Sequence, residues 1–327
     1  MKVLVTGAGA LLGQGIIRAL QASSLKAEIV AVDPSPLSAG LYWVDRAYLV
    51  EVAKSPRYLD RFGEILAEER PDIVLVGTDV ELPVLAAARA EIEARYKTTV
   101  LVSDPRVIDI ANDKWLTSRF LEEQGLPFVP SALPEEPGAV AALVAKVGFP
   151  LIVKPRVGAR SVGVHLVETE GALSRALDGQ AGSVVQKHVG TAATEYTAGT
   201  LVFEGRCQAS IVMRRDLRDG NTYRAFTEES LELNARIRDV AAKLGAFGPA
   251  NFQFRLEDGV PKIFEINARF SGTTPLRAHA GFNEVEMAIR HVLLGDPVIQ
   301  PEVVPMSILR HWSETVVPAG RLLGQNG

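Results

Sequence analysis

The sequence predicts an α/β region built on a parallel sheet, followed by an α+β region with an antiparallel sheet. Residues 1–103 alternate short apolar strands with helical segments, which is the pattern of a parallel, doubly wound sheet. Asp104-Pro105 then opens a new helix and marks a boundary. From Val184 onward there are long strands and two helices, which favours an antiparallel sheet with its helices on one face.

The elements of the first region follow from their hydrophobic patterns. The run at 2–6 is apolar and predicts a buried strand, and the segment at 12–22 carries the apolar stripe of a helix. The other elements predicted here are a strand at 28–33, an amphipathic segment at 58–69, and strands at 72–77 and 99–103.

The rest of the chain divides at about residue 183. A loop at 130–137 contains three prolines and is expected on the surface. Before the division we predict helices at 115–124 and 138–147 and strands at 151–155 and 163–167. After it we predict strands at 184–189, 197–203, 207–213, 251–255 and 307–312, helices at 230–244 and 282–294, and a disordered C-terminal end.

Composition excludes several classes of function. The chain has 327 residues, a formal net charge of -4 and no long basic run, so broad electrostatic binding to nucleic acid is not expected. Cys207 is the single cysteine, which rules out an internal disulfide and suits a reducing compartment. The N-terminus lacks the pattern of a signal peptide and no run is long enough to span a membrane, so a cytoplasmic protein is expected.

The most informative stretch is the apolar run that carries Glu265 and Asn267. These residues lie two apart, so their side chains share one face of a strand, and Arg269 lies two further along. A carboxylate and an amide oxygen beside an arginine suit Mg²⁺ bound to phosphates. The alternative is a solvated sheet face, which polar alternation usually indicates.

The preceding strand is expected to add Gln253 to this site. If Asp258-Gly259 alone formed the turn, Gln253 would pair with Phe264 and face away from Glu265. A three-residue loop, 258–260, pairs Gln253 with Glu265 instead. We therefore predict an odd-length loop.

Together with several upstream segments, this strand resembles the ATP-grasp superfamily over roughly residues 1–300. The likeness is closest to the carbamoyl-phosphate synthase large subunit and to ligases of the pyrrolysine-biosynthesis type. The upstream segments that carry it are Ala111-Asn-Asp-Lys114, Pro150-Leu-Ile-Val-Lys154-Pro155, Gly158-Ala-Arg-Ser-Val-Gly163, Val184-Val-Gln-Lys-His-Val189 and Glu195-Tyr-Thr.

The resemblance implies the organisation of the whole chain. It predicts a Rossmann-like pre-ATP-grasp domain at 1–103 and an ATP-grasp fold of two subdomains. The smaller subdomain, 104–185, would carry the phosphate loop, and 186–327 would carry the antiparallel sheet and the metal site. Many members are dimers, so a homodimer is compatible with the resemblance.

The resemblance also implies which residues bind ATP. Lys114 and Lys154 match the nucleotide lysines, and Lys154 ends an apolar strand, where an unpaired ammonium is costly. The alternative for Lys154 is a salt bridge with an acid such as Glu265. The other residues assigned to ATP are Arg156, Ser161 and Gly163 of the phosphate loop, Gln186, Lys187 and Val189 of the adenine hinge, and Glu195 for the ribose.

The metal and catalytic assignments follow the same resemblance. Gln253, Glu265 and Asn267 would hold two Mg²⁺ ions, or Mn²⁺. Arg269 would stabilise the charge of phosphoryl transfer. Arg215 lies in the charged run 214–221, which is either a solvated hairpin tip or a source of a phosphate-binding arginine.

Three further residues are candidates for binding the acceptor substrate. Glu81 follows the third predicted strand, at the edge of the sheet where ligands bind in open α/β folds. Arg277 and His279 follow the strand that carries Glu265 and Asn267, which we call the metal strand. Ordinary structural or surface roles are equally compatible with all three.

The glycine turn Gly7-Ala-Gly9-Ala-Leu-Leu-Gly13, with Asp33 after it, resembles a dinucleotide fingerprint. Its third glycine is one position late. We favour a tight strand–helix turn over NAD binding.

The function that these features imply is ATP-dependent joining of a carboxylate to an amine through an acyl phosphate. The expected partners are small molecules, with an amino acid or small carboxylic acid among them. Two alternatives are open: a carbamoyl-phosphate synthase-like enzyme that activates bicarbonate, and a regulatory protein that binds ATP without catalysis.

Overall fold

The computed structural model describes residues 1–158, 161–228 and 230–324, and its first unit is the predicted parallel sheet. The sheet has five strands in the order β3-β2-β1-β4-β5, all parallel. Its strands are β1 (Lys2–Val5), β2 (Glu28–Asp33), β3 (Arg46–Leu49), β4 (Ile73–Leu75) and β5 (Thr99–Leu101). The doubly wound sheet is therefore confirmed, and β3 is an additional edge strand whose side chains are only partly buried.

Helices cover this sheet and lead away from it. They are α1 (Leu11–Gln21), α2 (Tyr58–Glu69), α3 (Leu82–Tyr96) and α4 (Pro105–Asn112). The sequence did not predict α3, because its apolar residues are distributed around the helix instead of forming one stripe. The helix expected after Asp104-Pro105 is confirmed as α4.

The second unit is a small four-stranded sheet in the order β6-β9-β7-β8. Its strands are β6 (Ser131–Ala132), β7 (Leu151–Pro155), β8 (His165–Val167) and β9 (Ser183–Lys187). The helices α5 (Lys114–Glu123), α6 (Ala139–Val147) and α7 (Glu170–Leu177) accompany it. Because β9 belongs to this sheet, the predicted boundary at 185/186 falls inside a strand.

The third unit is an antiparallel sheet of six strands in the order β14-β13-β10-β11-β12-β15. Its strands are β10 (Glu195–Phe203), β11 (Arg206–Arg218), β12 (Asn221–Thr227), β13 (Gly248–Glu257), β14 (Val260–Asn267) and β15 (Ser307–Leu309). The helices that follow its strands are α8 (Leu231–Leu244), α9 (Thr274–His279) and α10 (Glu284–Ile289), the last continuing as a π-turn.

The interpretation of 214–221 as a charged turn is wrong. Strand β11 continues to Arg218, and the turn is Asp219-Gly220 alone. Charged residues fit in this strand because Arg214 packs 4.0 Å from the centre of the Phe226 ring and forms an ion pair with Glu228.

In the hairpin β13–β14, Gln253 pairs with Glu265 as predicted, but a β-bulge and not the length of the loop sets this register. The odd-length loop is wrong, because the turn is Asp258-Gly259 with Glu257 opposite Val260. A β-bulge at Phe264 then shifts the register by one, so Gln253 lies opposite Glu265 as expected.

In the described ranges, the helices are all too short or too polar to cross a bilayer. The expectation of a disordered C-terminal end concerns residues that include 325–327, which lie outside the described residues.

The glycine turn before α1 is a packing requirement, and Gly13→Ala tests it. A Cβ at Gly13 would lie 2.1 Å from the carbonyl oxygen of Gly7, so the backbone would have to move. We expect a loss of about 1–3 kcal/mol in the free energy of unfolding, measured by urea denaturation. The control is Gly171→Ala in α7, where the new methyl group meets only the end of Arg175 at 3.6 Å. Equal stability of both variants would contradict this account.

Candidate active site

Ten of the sequence-predicted residues line a cleft between the small sheet and the antiparallel sheet. Strands β7 and β9 form one wall, and β10, β11, β13 and β14 form the other. The predicted residues that line this first cleft are Lys114, Lys154, Ser161, Gln186, Lys187, Val189, Glu195, Arg215, Gln253 and Glu265.

Two buried lysines project from the side of the small sheet. Lys114 donates to the carbonyl oxygens of Gly158 at 2.9 Å and Arg156 at 3.4 Å. Lys154 donates to the carbonyl oxygen of Phe264 at 3.3 Å. Among the described residues, neither ammonium forms a salt bridge, so the pairing with Glu265 considered for Lys154 is not formed.

The environment of Lys154 disfavours its charge. The side chain is 6% exposed, and this burial lowers its pKa to about 7, with the positive charge of Lys114 adding to the effect. Glu265 acts in the opposite direction but does not compensate. An anion entering the cleft would therefore find an ammonium that lacks a counter-charge.

On the facing sheet, Glu195 lies at the centre of a buried ion cluster. Its Oε1 accepts from Arg215 at 2.8 Å, and its Oε2 accepts from Arg255 at 2.9 and 3.0 Å. Glu195 itself is buried, with 4% of its surface exposed. Arg255 was not predicted, although it lies two residues beyond Gln253 and hence on the same strand face.

The metal strand forms a continuous hydrogen-bonded row with β13. Oε1 of Glu265 accepts from Nε2 of Gln253 at 2.9 Å and from Nδ2 of Asn267 at 3.0 Å. The oxygen of Gln253 accepts from Arg215 at 2.6 Å, and the oxygen of Asn267 accepts from Arg269 at 2.9 Å. No cluster of three or more His, Cys, Asp or Glu side chains suited to a metal occurs in the described part of the chain. The predicted set contains one carboxylate and two amides.

Arg269 connects the metal strand to the first domain. It forms a bidentate ion pair with Asp79, at 2.6 and 3.1 Å, across 190 positions of sequence. Both residues line a second cleft, which adjoins the first because Gln253 and Glu265 line both. This second cleft lies between the antiparallel sheet and the carboxyl ends of the parallel strands.

Two residues predicted for the phosphate loop do not line the first cleft. The guanidinium of Arg156 pairs with Asp113 at 2.6 and 2.9 Å, because Asp113 is the N-cap residue of α5 and faces it. Gly163 lies behind Pro155 with φ of 72°. Ala159 and Arg160 of this loop lie outside the described residues.

The three candidates for the acceptor substrate do not line either cleft. Glu81 accepts from the hydroxyls of Thr6, Thr78 and Tyr58 at 2.6–2.8 Å, and burial raises its pKa. Arg277 is 1% exposed and pairs with Glu284, and burial lowers its pKa. His279 is exposed on the surface at the end of α9.

In the glycine turn between β1 and α1, the carboxylate of Asp33 is occupied by hydrogen bonds from neighbouring residues. Asp33 accepts from the backbone N–H of Gly9 at 2.7 Å and from the hydroxyl of Ser38 at 2.6 Å. A Cβ on Gly9 would lie 2.1 Å from that hydroxyl oxygen. Asp33, which would bind a ribose in a dinucleotide site, is instead occupied within the turn, which supports the tight-turn interpretation.

Three family models match successive parts of the chain. They are described as a PylC-like N-terminal domain, matching residues 3–101, a RimK-like ATP-grasp domain, matching 111–248, and ATP-grasp in the biosynthetic pathway with Ter operon, matching 191–314.

Curated relatives match at moderate identity. Formate-dependent phosphoribosylglycinamide formyltransferase from Burkholderia lata is 30% identical over 182 residues, which cover 54% of this chain and 41% of the relative. Carbamoyl phosphate synthase arginine-specific large chain from Geobacillus stearothermophilus is 23% identical over 326 residues, covering 91% of this chain and 30% of the relative. The chain thus spans less than half the length of these relatives.

Solved structures share the fold. N5-carboxyaminoimidazole synthetase from Staphylococcus aureus, complexed with ADP, superposes with a TM-score of 0.72 at 16% identity, covering 93% of this chain and 80% of that one. The biotin carboxylase domain of 2-oxoglutarate carboxylase from Hydrogenobacter thermophilus gives 0.72 at 18% identity, covering 93% and 72%. The predicted fold, a Rossmann-like domain followed by an ATP-grasp fold, is confirmed.

The buried Lys154 is expected to cost stability in a pH-dependent way. Its pKa of about 7 in the fold lies below the ordinary value of 10.5, so the unfolded chain binds the additional proton between these two pH values. Stability therefore rises with pH across that window, by about 2 kcal/mol from pH 7 to pH 9 relative to Lys154→Met. Urea denaturation of both proteins at the two pH values measures this difference.

The comparison isolates Lys154 because the rest of the sequence is identical in the two proteins. Cys207, whose pKa burial raises to about 11, is unchanged by the substitution. We also expect Lys154→Met to be the more stable protein at pH 7. Parallel pH profiles for the two proteins would contradict the assignment of a desolvated ammonium.

Proposed function

Since the chain belongs to the ATP-grasp superfamily, we propose that it is an ADP-forming ligase that joins a carboxylate to an amine. The observation that carries this proposal is the pair of buried lysines that face a carboxylate–amide row across one cleft. Lys114 and Lys154 supply positive charge, and Glu265 supplies an anchor for a cation on the opposite wall. This arrangement suits a metal-bound polyphosphate.

The nucleotide would lie along the first cleft. Its phosphates would contact Lys114 and Lys154, and its base would meet the hinge Gln186–Val189. The apolar side chains that line this cleft include Val129, Ile152, Leu217 and Phe264. Because both oxygens of Glu195 accept from arginines, a ribose hydroxyl would have to share an oxygen with one of them.

The donor set fits Mg²⁺ or Mn²⁺ when phosphate supplies most of the ligands. No described residue donates to Oε2 of Glu265, and the amide oxygens of Gln253 and Asn267 each keep a second lone pair. Glu265 would hold the two ions of our proposal, with the amides completing their shells. The metal would neutralise phosphate charge.

In the reaction we propose, the substrate carboxylate attacks the γ-phosphate and forms an acyl phosphate, with ADP leaving. The amine then attacks the acyl carbon and inorganic phosphate leaves. The protein's own residues would align the reactants and stabilise charge, with Arg215 and Arg269 beside the metal strand. A protein nucleophile is not needed.

The substrates are inferred only as classes. Our proposal is an amino acid or small carboxylic acid as the carboxylate, and a small amine as the acceptor. Bicarbonate is a second candidate, since the match to the carbamoyl phosphate synthase chain covers 91% of this chain and the Hydrogenobacter thermophilus structure contains bicarbonate. A cytoplasmic location and a homodimer stay predictions.

A substrate panel tests the function. ADP release with Mg-ATP is measured against amino acids, dipeptides, formate, other small carboxylic acids and bicarbonate, each alone and paired with an amine or ammonia. We expect one pair to stimulate ADP release and to give a product whose mass is the sum of the pair less water. Release with bicarbonate and ammonia alone would instead support the carbamoyl-phosphate reaction. Tight ATP binding with no release across the panel would contradict an enzyme and favour the regulatory alternative.

Glu265→Gln tests the metal assignment. The substitution keeps the size of the side chain and removes its charge, so the protein should fold while ligase and ATPase turnover fall by at least about 100-fold. Circular dichroism verifies the fold, and ADP release measures the turnover. Glu232→Gln is a matched control, because Glu232 lies on α8 outside both clefts and pairs with Arg236 at 2.8 Å. Retained ATP cleavage in Glu265→Gln would refute the assignment.

A further inference from the structure

The second cleft is lined by an asparagine, Asn251, whose side-chain amide is held in one orientation by Thr197 and Arg277. Asn251 lines this cleft and is 2% exposed. Its Oδ1 accepts from the hydroxyl of Thr197 at 2.9 Å and also from Nη2 of Arg277. An arginine can only donate, so the oxygen of this amide must face Arg277 and the nitrogen must face away.

The nitrogen of Asn251, a residue that lines the second cleft, is therefore a donor that faces away from Arg277. Within the described ranges, Nδ2 donates to no other residue. A second donor lies nearby on β11: Nε of Arg215 is buried, lacks a hydrogen-bond partner among the described residues, and belongs to a residue that lines both clefts. A buried donor that is left unpaired, as Nε of Arg215 is, costs stability, so its retention points to a ligand that accepts from it.

Arg277, which contacts the oxygen of Asn251, is held by an ion pair and by close packing, although its Nε has no hydrogen-bond partner among the described residues. Nη1 of Arg277 pairs with Glu284 at 2.9 and 3.2 Å, and both side chains are 1% exposed. The guanidinium packs against Gly199, where a Cβ would lie 2.3 Å from Nη1. Any larger residue at this position of β10 would displace Arg277 from Asn251.

The position of Asn251 places its donor beside the metal strand. Asn251 lies directly opposite Asn267 on β14 and two residues before Gln253 on the same face of β13. An oxyanion bound by Asn251 would therefore lie next to the proposed metal ligands. An ammonium would meet an N–H donor there and would be repelled.

We infer that Asn251 is a specificity-determining residue that donates Nδ2–H to a carboxylate oxygen of the acid substrate, and that Arg277 is a positioning residue that sets the orientation of this amide. The inference rests on the proposed function and deepens it, because it assigns the acid, and not the amine, to the floor of the second cleft. It also gives Arg277 an indirect role in place of direct substrate binding.

Asn251→Asp tests the donor. The new carboxylate can still accept from Thr197 and Arg277 but presents an oxygen to the substrate. With the acid that most stimulates ADP release, we expect its KM to rise about 100-fold while the KM for ATP is unchanged. Asn234→Asp on α8, outside both clefts, is the matched control and should leave both constants unchanged. An unchanged KM for the acid in Asn251→Asp would overturn the inference.

The positioning role of Arg277 is tested in a double variant that also removes the charge of its ion-pair partner, Glu284. Arg277→Met alone would leave Glu284 buried and unpaired, so the variant to use is Arg277→Met/Glu284→Gln. We expect the KM for the acid to rise about tenfold, and Asn251→Ala to add little in this background, because both changes remove the same oriented donor. If Asn251→Ala raised the KM for the acid equally in the unmodified protein and in Arg277→Met/Glu284→Gln, Arg277 would have a merely structural role. That result would overturn the assignment of Arg277 as a positioning residue.

A measurement without turnover separates this inference from the proposed function. The side-chain amide signal of Asn251 is followed by ¹H–¹⁵N NMR in protein saturated with Mg²⁺ and AMP-PNP, during titration with formate, bicarbonate, acetate and L-alanine. We expect at least one of these acids to shift the signal, even if ADP release fails. A shift with nucleotide alone, or no shift with any acid, would overturn the inference while leaving the ligase proposal to the substrate panel.

Discussion

The register of the β13–β14 hairpin is the constraint on which the site depends. The two-residue turn Asp258-Gly259 would by itself turn Glu265 away from Gln253, and the bulge at Phe264 reverses this. One extra residue thereby brings Asn251, Gln253, Glu265 and Asn267 to the same face. The bulged Phe264 also lines the first cleft, and its carbonyl oxygen accepts from Lys154, so the irregularity that aligns the metal strand also contacts the opposite wall.

From this hairpin, one hydrogen-bonded chain of side chains runs the length of both clefts. Its members in order are His188, Arg255, Glu195, Arg215, Gln253, Glu265, Asn267, Arg269 and Asp79. Each charged group in the interior of the chain has a partner, which is the condition under which buried polar groups are tolerated. Lys154, by contrast, forms no salt bridge within the described ranges. The arginine charges on the wall formed by the antiparallel sheet are thus paired within the protein, whereas the opposite wall carries positive charge that a ligand would neutralise.

The first domain contributes to this chain through one loop. Asp79 pairs with Arg269, and the neighbouring Glu81 is held by Thr6, Thr78 and Tyr58 inside the first domain. Glu81 therefore fixes the loop, and Asp79 presents its carboxylate to the antiparallel sheet. A change in the arrangement of the first domain would therefore act on Arg269 directly and, through the hydrogen bond from Arg269, on Asn267.

The sequence by itself determined the order of the elements and the residues of the metal strand, because hydrophobic periodicity and the spacing of Glu265, Asn267 and Arg269 are local properties. It also determined that Lys154 ends a buried strand. Only the tertiary structure decided which charges are already paired: Arg156 is taken by Asp113 and Arg277 by Glu284, although the sequence offered both as ligand-binding residues. The bulge at Phe264, the extension of β11 through Arg215 and the orientation of the Asn251 amide were likewise decided there. Asp113 and Arg156 lie 43 positions apart and Asn251 and Arg277 lie 26 apart, so no local pattern encodes these pairs. Glu284 lies only seven positions from Arg277, but the packing of the fold, and not the spacing, makes it the partner.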